Sequence, residues 1–251
     1  MVRRILALTS LALVAAFVLG AAPASASHAW SNYHWARTAN PFTLKVVDSN
    51  TPDWDDNQAG AISDWSKSTV MDLTREAGDD SFKTRKRCVM ISGKIHSCNA
   101  TYGNNGWLGL ASINISGGHI TQGSAKMNDT YFNSGSYNET ARQHVMCQEI
   151  GHDFGLTHQS ESGADLNTCM DYADALDNPS PNAHDYDQLQ TIYSHLDSST
   201  TIGASLGTLP DAVPSWAPAT QRARSVYVDQ LADGSELVTF VLWANPIHAW
   251  R

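Results

Sequence analysis

Apolar and polar positions settle into regular patterns once the chain passes residue 40. Phe42-Thr43-Leu44-Lys45-Val46-Val47 alternates and is rich in β-formers, which predicts a first strand. Asp53 is placed to cap a following helix, with Trp54, Ala61, Ile62 and Trp65 spaced to face a core. His28 to Asn40 has no strong period and predicts an extended arm, and the charged stretch from Gly78 to Arg87 predicts a surface loop. Val89 to Ser97 predicts two short strands around Ser92-Gly93. Strands are predicted at Trp107–Ala111, Ile113–Ile115 and His119–Thr121, broken at Gly117-Gly118, with Lys126–Phe132 closing the region. Ser136 and Glu139 form a predicted capping box for a helix whose Met146, Ile150 and Phe154 share one stripe. Asp185 to Gln188 opens a last helix with Leu189, Ile192, Tyr193 and Leu196 at helical spacing. Thr200 to Ala219 has linker composition, and Ser225–Val228 with Leu237–Trp243 predicts a hairpin around Asp233-Gly234.

The N-terminus carries Arg3 and Arg4, an apolar run from Ile5 to Leu19, and the small-residue site Ala24-Ser25-Ala26. This predicts a secretory signal over residues 1–26, with an exported, extracellular protein beginning near Ser27. A retained anchor is the weaker reading, because the run is short and lacks a stop-transfer flank. The expected organisation is signal 1–26, arm 27–40, one domain over 41–199, and a linker and tail over 200–251. The formal charge of −9 becomes more negative once Arg3 and Arg4 are removed. An acidic surface argues against nucleic acid and against anionic membranes as partners and says little about which proteins or peptides bind; a monomer is the expected state.

Chemistry concentrates in Cys147-Gln148-Glu149-Ile150-Gly151-His152-Asp153-Phe154-Gly155-Leu156-Thr157-His158. On a helix, residues four apart share a face, so Gln148 and His152 project together with Glu149 beside them. Gly155 accepts the left-handed conformation that ends a helix, and the resulting turn can return His158 toward that face. The segment resembles the metzincin zinc-protease pattern H-E-x-x-H-x-x-G-x-x-H, with Gln148 in place of the first histidine. Thr168-Cys169-Met170-Asp171-Tyr172 resembles the Met-turn of that family, and the matrixin branch is the nearest likeness.

The resemblance implies an α+β (α/β) fold with a metzincin-type twisted mixed sheet, a long N-terminal helix, an active-site helix and a C-terminal helix. It implies a secreted zinc-dependent endopeptidase in which His152 and His158 bind zinc, Glu149 is the general base and Met170 lies beneath the site. Gln148 takes the position of the first ligand; its amide oxygen can donate a lone pair but holds zinc more weakly than imidazole does. His144 is an alternative ligand one turn earlier, although a rise of about 1.5 Å per residue puts it about 12 Å along the axis from His152. The competing reading is a metzincin-fold protein without catalysis that binds peptides or a surface partner through the old cleft. Calcium is a further ion the resemblance allows, but no clean acidic ligand set stands out.

Four cysteines in an exported chain allow three disulfide pairings. The favoured one joins Cys88 to Cys98 around the predicted strand pair and Cys147 to Cys169, tying the active-site helix to the Met-turn. A four-cysteine zinc site competes poorly, because close Cys-x-x-Cys pairs are missing. The arm contains no cysteine to block zinc in the manner of a matrixin propeptide. Asn99, Asn114, Asn128 and Asn138 each fit the glycosylation pattern, a signal of low specificity.

Overall fold

The computed structural model describes residues 27–173, 175–205 and 224–244; the predicted signal and most of the predicted linker lie outside them. Strand β1 (His34–Trp35) belongs to the arm, and β2 (Phe42–Ser49) follows the predicted alternation. A short 3-10 turn at Pro52–Trp54 leads into α1 (Asp55–Trp65). Parallel strands need a crossover, which α1 supplies between β2 and β3 (Met71–Ala77). Helix α2 (Phe82–Arg87) and strand β4 (Ile95–Ala100) follow. β4 pairs in parallel with both β2 and β6 (His119–Asn128). β5 (Trp107–Ser116) turns back onto β6 through Gly117 and Gly118, both at positive φ where a side chain is disfavoured. A short α3 (Asp129–Phe132) precedes α4 (Glu139–His152), and α5 (Ala183–Ile192) comes later. The hairpin of β7 (Val226–Gln230) and β8 (Glu236–Trp243) completes the described chain.

The strand order is β3-β2-β4-β6-β5-β8-β7, with β1 pairing the start of β6. The β5–β6, β5–β8 and β7–β8 pairs are antiparallel and the other pairs parallel, so this is a mixed α+β fold. The main core lies between the sheet and α1 with α4, where Trp54, Trp65, Met146, Ile150 and Phe154 are buried. Disulfides join Cys88 to Cys98 and Cys147 to Cys169, with Cα separations of 5.9 and 6.0 Å.

Several local expectations change for identifiable reasons. The charged stretch before Cys88 is not all loop: the Ser81 hydroxyl accepts from the Thr84 amide, and Arg85, Lys86 and Arg87 occupy the last turn of α2, where cations suit the helix dipole. Val89 to Ser97 keeps the predicted turn at Ser92-Gly93, where the Lys94 amide donates to the Ile91 carbonyl at 3.1 Å. Only the side after the turn is a strand, β4, and the Gly93 amide donates to the Thr121 carbonyl of β6. The short strands from Trp107 to Thr121 merge into the two long ones, β5 and β6. Lys126–Phe132 is not one strand, since Asn128 caps α3 by accepting from the Thr130 amide. Asn138 rather than Ser136 caps α4, and Glu139 accepts from Asn57 of α1 instead of reaching back. Asn182 and Asp185 form a reciprocal capping box, so α5 begins earlier than predicted. It ends at Ile192, leaving Leu196 beyond the helix and exposed. Asn99, Asn114 and Asn128 are buried and hydrogen-bonded to their neighbours, so the folded chain cannot present them for glycosylation.

Candidate functional site

Helix α4 crosses β5 and β6 above two glycines. A Cβ at Gly109 would lie 2.1 Å from Glu149 Oε1, and one at Gly123 would lie 2.7 Å from Asp153 Oδ1. The two carboxyl groups therefore occupy space that any other residue in those strands would fill. A glycine inside a strand signals such a close approach, so Gly109 and Gly123 were legible as contact points but not as contacts of particular carboxylates. Neither Glu149 oxygen has a hydrogen-bond partner. Burial, and secondarily the Asp153 charge, push the Glu149 carboxyl well above the usual carboxylate range. Burial does the same to Asp153.

The helix ends at His152, and the chain turns through Gly155 at φ +91°. The Gly155 conformation and its close packing on the Tyr33 carbonyl both require the missing side chain. The turn returns His158 so that its Nε2 lies 3.2 Å from His152 Nε2. Each ring is fixed from behind. His152 Nδ1 lies 2.9 Å from the Leu156 carbonyl oxygen, and His158 Nδ1 lies 2.7 Å from Glu161 Oε1. Both Nδ1 atoms face acceptors and must carry the hydrogen, so in the neutral rings the two Nε2 lone pairs point at each other. Burial and then the neighbouring His158 hold His152 well below the ordinary histidine range, which opposes a proton in the gap. Two ligands of a tetrahedral ion with bonds of about 2.0–2.1 Å sit roughly 3.3 Å apart, so the 3.2 Å separation fits a shared metal.

Gln148 is held by its amide nitrogen, which donates to the carbonyls of Cys169 at 2.8 Å and Asp171 at 2.7 Å. These two acceptors decide the amide orientation and leave Oε1 as its buried atom without a hydrogen-bond partner. Met170, between those carbonyls, packs its sulfur where a Cβ at Gly151 would stand, 2.5 Å away. His144 is fully buried, and burial lowers its pKa to about 4. Among the described residues, the ring nitrogens of His144, His152 and His158 do not gather within 4.8 Å of one another.

The surroundings were not legible from the motif. Phe240 of β8 stacks on His152 with ring centroids 4.3 Å apart and planes 5° from parallel. Tyr172 packs against His158 from another side. Ser225, at the base of the hairpin, donates to the same Glu161 oxygen that anchors His158. Gln148, Glu149, His152 and His158 are all buried. A cavity of about 710 Å³ lies elsewhere, lined by Ser81, Arg87, Ile91 and Gln122 and by none of these groups.

No protein-family model matches the chain, and neither does any curated protein. Among solved structures, it is similar to high choriolytic enzyme 1, a hatching-enzyme zinc protease from the medaka fish Oryzias latipes. The TM-score is 0.38 at 10% identity, covering 65% of this chain and 96% of that one. At that level the neighbour adds nothing to the chemistry, and the site stands on its own geometry.

Proposed function

We propose that the protein is a secreted zinc-dependent endopeptidase whose centre is built on α4 and the turn after it. The observation that carries this reading is the pair of facing Nε2 atoms of His152 and His158, each with its other nitrogen tied to an acceptor. The metzincin-like spacing of Gln148, Glu149, His152 and His158, with Met170 below, supports the same reading. His152 and His158 would hold the ion, and the partnerless Gln148 Oε1 is the third donor the α4 face offers. Zinc there would polarise water and the peptide carbonyl. Glu149 would take a proton from the attacking water on a carboxylate oxygen and pass it to the departing amine nitrogen. The strand β8 runs antiparallel along β5 and covers His152, so it occupies the course an extended peptide would follow. In this reading a substrate displaces the hairpin, and water reaching Glu149 then lets its carboxyl ionise.

A second reading, a peptide-binding protein without catalysis, is favoured by one observation: Glu149 lies wholly buried with no water-facing atom. Peptide hydrolysis by the zinc-loaded protein, compared with Glu149→Gln, decides between them. Hydrolysis that disappears in Glu149→Gln establishes the peptidase. Zinc and peptide binding without hydrolysis establishes the second reading.

A further inference from the structure

On the other side of β6 from β5, a second histidine cluster has assembled from three distant parts of the chain. His34 comes from β1, His119 from the first residue of β6, and His195 and Asp197 from the segment after α5. His34 Nε2 lies 3.2 Å from His195 Nε2 and 3.5 Å from Asp197 Oδ1. His119 Nε2 lies 3.2 Å from the same Asp197 oxygen, and His195 Nε2 lies 3.6 Å from it. Ligand atoms of His34, His195 and Asp197 all fall within 4.8 Å of one another.

We propose that His34, His195 and Asp197, with His119 beside them, form a second zinc site, separate from the α4 centre, that clips the N-terminal arm to the sheet and to the end of α5. The separations among His34, His195 and Asp197 bracket the roughly 3.3 Å expected between ligands of a tetrahedral zinc ion, and two imidazoles with one carboxylate are a donor set that zinc accepts. His119 stands outside that group of three and bonds Asp197, which orients the carboxylate. The partners behind the ligands fit as well. His34 Nδ1 lies 2.9 Å from the Asn32 carbonyl and so carries the ring hydrogen, which turns a lone pair on Nε2 toward the cluster. Asp197 Oδ2 accepts from the Arg37 guanidinium at 3.0 Å and the Arg37 amide at 3.1 Å and lies 3.4 Å from His34 Nε2, while Oδ1 faces all three histidines.

Neutral rings make a smaller network, in which His119 donates to Asp197 and His195 donates to the His34 Nε2 lone pair. The two Asp197 oxygens, 3.5 and 3.4 Å from that Nε2, then face it with no hydrogen between them. An ion among His34, His195 and Asp197 serves all three. Asp197 also accounts for the arm's other attachments: its backbone amide donates to the Arg37 carbonyl at 2.9 Å. The arm in turn holds the turn after α4. The Trp30 amide donates to the Gly155 carbonyl at 2.8 Å, and the Thr157 amide donates to the His28 carbonyl at 2.6 Å. An ion at the arm would therefore steady the loop that presents His158 without touching it.

The test is zinc stoichiometry of the full chain after chelation and reloading, with thermal stability followed in parallel. His195 is half exposed and His119 partly so, which makes His195→Ala and His119→Ala the informative variants. His195→Ala should lose one zinc equivalent and the zinc-dependent rise in Tm that accompanies it. His119→Ala should weaken the same event by tenfold or more, and His195→Cys should restore it, since a thiolate replaces imidazole as a zinc ligand but not as a ring in a proton network. Zinc uptake and zinc-dependent Tm unchanged in His195→Ala would overturn the proposal. Loss of a zinc in His158→Ala but not in His195→Ala would also overturn it while leaving the peptidase reading intact. The reverse pattern would sustain the arm site and remove the α4 centre.

Discussion

The two histidine clusters pose one chemical problem in opposite surroundings. In the α4 cluster, His152 and His158 stand six residues apart, lie under Phe240 and have no carboxylate between their facing nitrogens. In the arm cluster, a buried His34 and a half-exposed His195 stand 161 residues apart and converge on the Asp197 carboxylate. The first is prepared by one helix end and one glycine turn; the second exists only when the arm, the sheet and the end of α5 are in place. A closed site of neutral donors suits chemistry that must exclude water until substrate arrives. A half-open site with a carboxylate suits a lasting structural ion. Burial and charge, more than the number of histidines, separate the two.

The largest effect that would break this comparison is on catalysis. Glu149→Gln should lower peptidase kcat by about 10²–10⁴-fold with the fold intact, as loss of a general base does. Equal activity in the variant would remove α4 from the chemistry and leave the arm cluster as the better metal site.

Next comes the disulfide that couples α4 to the Met170 turn. Replacing Cys147 and Cys169 together by alanine opens a closed loop whose ends are 22 residues apart. The loop-entropy relation puts the cost at about 3 kcal/mol, measured by denaturant unfolding. A midpoint that does not move would mean the turn is held by packing alone.

Acid should act on the α4 region through His144. Its folded-state pKa of about 4 lies below its unfolded value of about 6.5. Below pH 6.5 the unfolded chain takes up a proton that the folded chain refuses, so stability falls from there until about pH 4. The loss from this group is roughly 3 kcal/mol over that window. His144→Leu should flatten that part of the stability–pH curve; an unchanged slope would assign it to other buried histidines such as His96 and His152.

A smaller effect sharpens the role of Gln148. Gln148→Ala leaves the carbonyls of Cys169 and Asp171 without their donor, at a cost of about 2 kcal/mol if water does not replace it. Gln148→His can supply only one donor to that pair, so any gain in zinc affinity should come with a measurable drop in Tm. A variant that binds zinc more tightly and keeps its Tm would show that the turn does not need both bonds.

Much of the α4 region could be read from the chain because its information is local. Helical spacing places Gln148, Glu149 and His152, and Gly155 predicts the turn that brings His158 back, since both depend on backbone geometry within one turn or two. The same locality explains the first strand and the terminal hairpin. Local signals failed where a tertiary contact competed with them. Glu139 had a cap within reach but bonds Asn57 instead, and the segment before the Ser92-Gly93 turn does not form the strand expected of it.

The sequence by itself determined the succession of strands and helices through most of the chain and the ordering of donors along α4, because periodicity and glycine conformations act over a few residues. Only the tertiary structure decided that β8 lies along β5 over His152, that Gly109 and Gly123 make room for two carboxyl groups, and that His34, His119, His195 and Asp197 meet at all. Those arrangements depend on which segments pair and pack across separations of up to 163 residues. No local propensity records such pairings; they follow from burying the whole chain's apolar surface at once.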